Sequence, residues 1–273
     1  MIYLLSLLCA VCFAAFTVTD VSEIWILPVG FVVAAAGITL IYWLILGFFA
    51  LFCSTRKEYE KPSALAQFML NAAYWFVCSA ARVRVHASGL EKIPESERFL
   101  FVSNHLSRFD PMIESLALRK TPVAFISKPS NFKIPIGRRF MNRCCYIAID
   151  RESPRNAAKA INRAAELLKR DAVSIAVYPE GHRGTGYGLQ KFKPGCLKAA
   201  SKAGCPIVAA VITGTERIHK RFPWRGTDVY LDIIGVFETD GKEKTVELSE
   251  RIRNEMRRRL PENSQKSKGE NEA

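Results

Sequence analysis

The first 55 of the 273 residues contain no lysine or arginine, although the whole chain carries 39 of them against 26 acidic residues, for a net charge of +13. The cationic excess therefore lies after residue 55 and calls for an anionic partner: nucleic acid, a membrane surface or a phosphorylated substrate. Other absences narrow the chemistry. No Walker or dinucleotide-binding glycine pattern occurs. No G-x-S-x-G elbow occurs either, so a serine hydrolase would lack its nucleophile. The eight cysteines are scattered, the adjacent pair Cys144-Cys145 cannot form a simple bridge, and no His/Cys cluster has zinc spacing. They read as small apolar residues in a reducing compartment. No basic-aromatic nucleic-acid module is recognisable, which leaves membrane and phosphate as the anionic partners.

What is present begins with apolar chain. Residues 1–18 are uncharged, Asp20 and Glu23 mark a polar break, and residues 24–53 are again uncharged. About 20 apolar residues span a bilayer. The second stretch predicts a transmembrane helix, with a tilt or kink near Pro28, and the first is just long enough to make a hairpin with it. A signal peptide is the alternative for the first, although it lacks a basic n-region and a small-x-small cleavage site. Arg56-Lys57 and the basic remainder place everything after residue 55 in the cytoplasm by the positive-inside bias. The predicted organisation is a two-helix membrane anchor over 1–55, a globular domain over 56–260, and a polar, disordered tail over 261–273.

Within the domain, residues 62–81 predict a helix with Leu65, Phe68, Met69, Ala72, Trp75, Phe76 and Ser79 as its stripe, and 56–81 reads as an interfacial segment. Strands are predicted at 82–86, 99–102, 123–126, 146–149, 173–178, 206–212 and 228–237. Helices are predicted at 111–119, from Pro154 onward, at 194–203 and at 246–260. The helix after Ser153-Pro154 takes Ala158, Ile161, Ala165 and Leu168 as its stripe, and the last takes Leu248, Ile252, Met256 and Leu260, supported by Glu247–Arg251 and Glu255–Arg259 pairs. The stretch 127–152 reads as a basic, Pro- and Gly-punctuated loop running into a strand. Alternating strands and helices mean a three-layer α/β domain. His86 falls on the polar face of its strand and reads as a surface residue.

Two strand-end turns carry the chemistry. The first is Ser103-Asn104-His105-Leu106-Ser107-Arg108-Phe109, closed by Asp110-Pro111, which reads as an N-cap followed by proline at the first helical position. His105 and Asp110 would lie about 140° apart on a continuous helix and meet only if the chain between them turns. A histidine oriented by a carboxylate, with no nucleophile beside it, is a general base for a substrate hydroxyl. Ser107, two residues from His105, is poorly placed to complete a triad. The second turn, Glu180-Gly181-His182-Arg183-Gly184, sets a carboxylate and a guanidinium among glycines. Arginine's planar fork suits a phosphate, and Arg151 arrives at a strand end in the same way.

These residues resemble the glycerolipid acyltransferase family, of the lysophosphatidic acid acyltransferase type. Asn104-His105-x-Ser107-x-x-Asp110-Pro111 resembles its first block, the H-x4-D motif. Lys128 through Gly137 to Ile149-Asp150-Arg151 is similar to the second, Tyr178-Pro179-Glu180-Gly181-x-Arg183 to the third, and Pro206-Ile207-Val208-x-x-x-Ile212-x-Gly214-Thr215 to the fourth. The sequence departs at His182, where the family has Thr or Ser, and near Cys144-Cys145, where it has Gly. The resemblance implies a mixed, mostly parallel sheet and transfer of an acyl chain from acyl-CoA or acyl carrier protein to 1-acylglycerol-3-phosphate, with no metal or cofactor. Another lysolipid or glycerol-3-phosphate is the alternative acceptor, and a catalytically silent membrane-surface protein the more remote reading. It further implies His105 as base and Asp110 as its partner, with Asn104 and Ser107 supporting. Glu180, Gly181, Arg183 and Arg151 would grip the glycerol-phosphate head. The implied partners are membrane lipids and the acyl donor, and the implied location is the cytoplasmic face of a bacterial cell membrane. The run from Thr215 to Arg225 mixes cations with aromatics as a membrane-surface patch would, although an ordinary basic loop reads the same way.

Overall fold

The computed structural model describes residues 26–184, 188–239 and 243–260, together with Leu8 and Val11. The chain divides into two units, 1–53 and 54–273. In the first, helix α1 (Ile26–Leu51) has neither acidic residues in its first turn nor basic ones in its last, and its 26 residues are enough to cross a bilayer. Pro28 falls in its first turn, where a missing N–H breaks no intrahelical bond. The expected first span over 1–18 and the tail over 261–273 lie outside the described residues.

The second unit is built on a seven-stranded sheet of order β1-β7-β6-β2-β5-β3-β4. Its strands are β1 (Val83–Ser88), β2 (Leu100–Ser103), β3 (Val123–Ser127), β4 (Ile147–Ala148), β5 (Ser174–Val177), β6 (Ile207–Thr213) and β7 (Thr227–Phe237). The run β6-β2-β5-β3-β4 is parallel throughout, β7 is antiparallel to β6, and β1 is parallel to β7. The sheet is thus mixed and mostly parallel, as expected. Every residue of β2 and β5 is buried, the pattern of strands covered on both faces. Helices α2 (Ala64–Ala80), α3 (Asp110–Ala117) and α4 (Pro135–Arg143) pack together, α5 (Pro154–Lys169) packs on α6 (Lys198–Ala203), and after the short α7 (Ile218–Arg221) comes α8 (Thr245–Arg259), which lies against β6 and β7.

Several local expectations change. Helix α4 occupies part of the predicted loop, because Pro135 stands at the start of the helix, where proline is tolerated, and does not break it. On α2 the buried residues are Ala66, Leu70 and Cys78, while Leu65, Phe68 and Trp75 of the predicted stripe face outward, 53%, 65% and 39% exposed. The helix has few polar residues, so periodicity alone places part of the stripe wrongly, with Met69, Ala72, Phe76 and Ser79 half-buried. Ser63 caps it, accepting from the Ala66 N–H. Ser153 caps α5 as expected, but Ala158 is exposed and the buried face runs through Ala160, Ile161, Ala164, Ala165, Leu167 and Leu168. On α8 the predicted i,i+4 pairs are replaced by contacts of Arg251 with Glu243 and of Arg258 with Glu255.

Candidate active site

Five parallel strands end at one edge of the sheet, and the loops leaving β2 and β5, which are neighbours, carry the two turns. This is where open α/β sheets place their ligands. The first turn is fixed by Asn104, whose amide donates to the Ile212 carbonyl at 2.8 Å while its oxygen accepts the Ile212 N–H at 2.8 Å. A side chain thereby imitates one more residue of sheet between β2 and β6, and then releases His105.

Asp110 does not cap α3. Its Oδ2 accepts the Leu106 N–H at 2.7 Å, the Ser107 N–H at 2.8 Å and a bond from His105 Nδ1 at 2.8 Å. The carboxylate points back into the turn, so the residue before the helix, Phe109, has no side-chain capping bond. One oxygen therefore closes the loop and fixes the ring. Asp110 is fully buried and the His105 side chain is 17% exposed, so the ring lies at the boundary between protein and solvent. With Nδ1 engaged, Nε2 is the nitrogen left for a substrate.

Below the ring lies a network that sequence reasoning did not find. The Tyr178 ring stacks on His105 with centroids 4.1 Å apart and planes 13° from parallel. Its hydroxyl donates to Glu114 Oε2 at 2.7 Å, and Ser103 Oγ donates to Glu114 Oε1 at 2.5 Å. Glu114 is wholly buried on α3, one turn beyond Asp110. Burial first, and the charge of Asp110 second, push its carboxyl well above the ordinary range, against the two hydrogen bonds. The available signal was an acid four residues after Asp110 in an otherwise uncharged helix.

In the second turn Glu180 is 3% exposed, and both of its oxygens are occupied by backbone: Oε1 by the His105 N–H at 3.0 Å, Oε2 by the Gln190 N–H at 2.9 Å. Burial raises its pKa and the two backbone donors oppose that. Gly181 has φ of +78°, and a Cβ there would meet Lys193 Cε at 3.0 Å, so the lysine stem lies directly over the turn. His182 and Arg183 are exposed, and Gly184 donates its N–H to the His105 carbonyl at 2.6 Å. Ser107 is buried, and its Oγ accepts the Phe109 N–H at 3.4 Å. Arg151 follows β4 at the same sheet edge, three strands from β2 and thus about 14 Å from it at the usual strand spacing. It is partly buried, and desolvation lowers its pKa. Lys193, which sequence reasoning also missed, brings a second cation over Gly181 of this turn. Among the described residues no group of three metal-ligating side chains occurs.

Fold and site together define a class: an α/β domain that sets an oriented histidine beside a cationic turn at the edge of a mostly parallel sheet. Residues 84–213 match a family model described as acyltransferase. The chain is 32% identical over 158 residues to a 1-acyl-sn-glycerol-3-phosphate acyltransferase of Chlamydomonas reinhardtii, covering 58% of this chain and 47% of that one. It is 35% identical over 136 residues to a chloroplastic enzyme of the same name from Arabidopsis thaliana, covering 50% and 37%. Against that of Borreliella burgdorferi it is 28% identical over 152 residues, covering 56% and 60%. The chain thus spans about half the length of the curated relatives it matches. The crystal structure of a 1-acyl-sn-glycerophosphate acyltransferase from Thermotoga maritima shares the fold, with a TM-score of 0.62, 24% identity, and coverage of 80% of this chain and 86% of that one.

Proposed function

We propose that the protein transfers an acyl chain from an acyl thioester, acyl-CoA or acyl carrier protein, to the free hydroxyl of 1-acylglycerol-3-phosphate, giving phosphatidic acid for phospholipid biosynthesis. The observation that carries this reading is His105, held at 2.8 Å by buried Asp110 beside the cationic turn of Arg183. Nε2 takes the hydroxyl proton, the alkoxide adds to the thioester carbonyl carbon, and the C–S bond breaks. The proton on His105 passes to the departing sulfur. No acyl-enzyme forms, since the scheme needs no protein nucleophile.

Arg183 would bind the acceptor's phosphate, with Lys193 over Gly181 of the same turn and Arg151 more distant. Glu180, its oxygens taken by backbone, would serve by holding the two turns together, as Asn104 and Ser107 do for the first. Helix α1 would anchor the chain, and the outward face of α2 at Leu65, Phe68 and Trp75 would lie in the bilayer interface. The catalytic domain over 56–260 would then face the cytoplasm, in keeping with the cation-free stretch before residue 56. Both acceptor and product are membrane lipids, which gives an anchored catalyst its substrate. The test is transfer from labelled acyl-CoA and acyl carrier protein by purified membranes, each offered lysophosphatidic acid, glycerol-3-phosphate and other lysolipids. Lysophosphatidic acid should be acylated fastest, and no product with any acceptor would refute the reading.

A further inference from the structure

The connection from β6 to β7 carries the most exposed aromatic of the described residues. Trp224 is 85% exposed and Phe222 50%, and every residue from His219 to Arg225 is exposed. The loop is nonetheless pinned at its base. Arg82 Nη1 donates to the Trp224 carbonyl at 3.2 Å, Arg221 Nη1 to the Gly226 carbonyl at 3.3 Å, and the Thr227 N–H to the Arg82 carbonyl at 3.1 Å. Its location follows from topology. β6 ends at the edge where β2 releases His105, and antiparallel β7 begins there, with Thr213 opposite Tyr230. The aromatic tip therefore projects from the rim of the sheet that holds the candidate active site. Arg217, Lys220, Arg221 and Arg225 surround it, and the single acid of the loop, Glu216, is paired with Arg217 at 3.1 Å.

We propose that the loop from Lys220 to Arg225 docks on an anionic bilayer surface, with Trp224 and Phe222 entering the headgroup region and Lys220 and Arg225 against lipid phosphates. Two solvent-exposed aromatics on an ordered loop are stable where one side is apolar and the other wet, which is the headgroup boundary. Cations beside them give charge complementarity to anionic lipids, and their long stems let the charges stay in water while the rings sink. The result would bring the rim carrying His105 and Arg183 to the plane where a lysolipid's phosphate lies. The inference rests on the lysolipid reading for its purpose, but its test reads lipid contact and not turnover, so the two fail separately.

The test uses the full chain carrying Trp25→Phe, Trp43→Phe and Trp75→Phe, which leaves Trp224 as its one fluorophore of that kind. In nanodiscs containing phosphatidylglycerol, lipids brominated near the headgroup should quench Trp224 strongly. The added Lys220→Gln and Arg225→Gln changes, with unchanged circular dichroism and melting, should reduce that quenching to about half or less. Absence of quenching in the anionic nanodiscs would overturn the proposal, as would quenching that the charge changes leave intact. A third arm adds purified acyl carrier protein to the solubilised chain. Shielding of Trp224 from acrylamide there, without bromolipid quenching, would assign the surface to a protein partner and also overturn it.

Discussion

The backbone of His105 is held at both ends by the Glu180 turn: its N–H donates to Glu180 Oε1 at 3.0 Å, and its carbonyl accepts from Gly184 at 2.6 Å. Two loops separated by 75 residues are thus joined through one residue's peptide groups. The relationship gives Glu180 a role that a merely acidic surface residue would not have. Glu180→Gln keeps one acceptor but turns an NH2 group toward a backbone N–H. It should lower kcat/KM by roughly ten- to hundredfold, equally for acceptors with and without phosphate, since a buried donor is left unpaired. Steady-state kinetics on both acceptor types check this. A loss confined to phosphate acceptors would instead mean direct contact with substrate.

His105→Ala should abolish transfer while leaving the protein folded and membrane-bound, since a partly exposed ring contributes little core. Removing a positioned general base costs about two to four decades in rate. Asp110→Asn is the finer test. The amide oxygen can still accept from Leu106 and Ser107, so the loop should keep its shape while the ring loses its charged partner. Initial rates beside a melting curve separate the two effects; His105→Ala keeping more than a tenth of wild-type activity would remove His105 from the mechanism.

Arg183 is exposed, so its replacement should leave the fold intact. Arg183→Ala should cost about 2–4 kcal/mol of transition-state binding, and Arg183→Lys should raise the acceptor KM, because an ammonium lacks the planar fork. The donor KM should hardly move. His182→Thr should leave phosphate acceptors usable. Equal losses with phosphate-free acceptors would make Arg183 structural.

Glu114 predicts a pH dependence of stability. Its folded-state pKa is raised, so the contribution it makes is present in full below the ordinary carboxylate range and is lost as pH rises toward the folded value. Glu114→Gln removes that ionisation and keeps groups able to bond Ser103 and Tyr178. Melting temperatures measured between pH 4 and pH 9 should fall less steeply for the variant, and the two curves should diverge as pH rises. Parallel curves would mean that Glu114 does not titrate in the way its burial implies.

Topology is open to a thiol-labelling scan on intact cells with an impermeant reagent. With single cysteines placed at positions 22 and 268, label should enter at 22 alone. Labelling at 268 and not at 22 would reverse the orientation.

The sequence made the dyad and the order of elements readable, because strand, turn and helix signals there are local. The His–Asp contact needs only that residues 105–110 turn, and Asp110-Pro111 announces where the helix starts. The direction of the Asp110 carboxylate was not readable, since a cap and a loop brace use the same residue type at the same place. Helix α4 was hidden by Pro135 and Gly137, which punctuate a loop and begin a helix equally well. The outward turn of Leu65, Phe68 and Trp75 on α2 was not readable because a helix with so few polar residues gives the stripe little contrast. Tyr178 and Glu114 meet across 64 residues, and Glu180 meets Gln190 through backbone. Contacts of that kind depend on strand order, which no local pattern encodes.

The three donors on Asp110 Oδ2 have an energetic meaning. Two of them are the peptide groups that shape the loop, and the third is the imidazole proposed as the base, so loop closure and ring alignment are one event. The rotational freedom of His105 is surrendered when the chain folds, so on the proposed mechanism arrival of the substrate asks for no further ordering of the base. Such preorganisation keeps the alignment of the base out of the activation barrier.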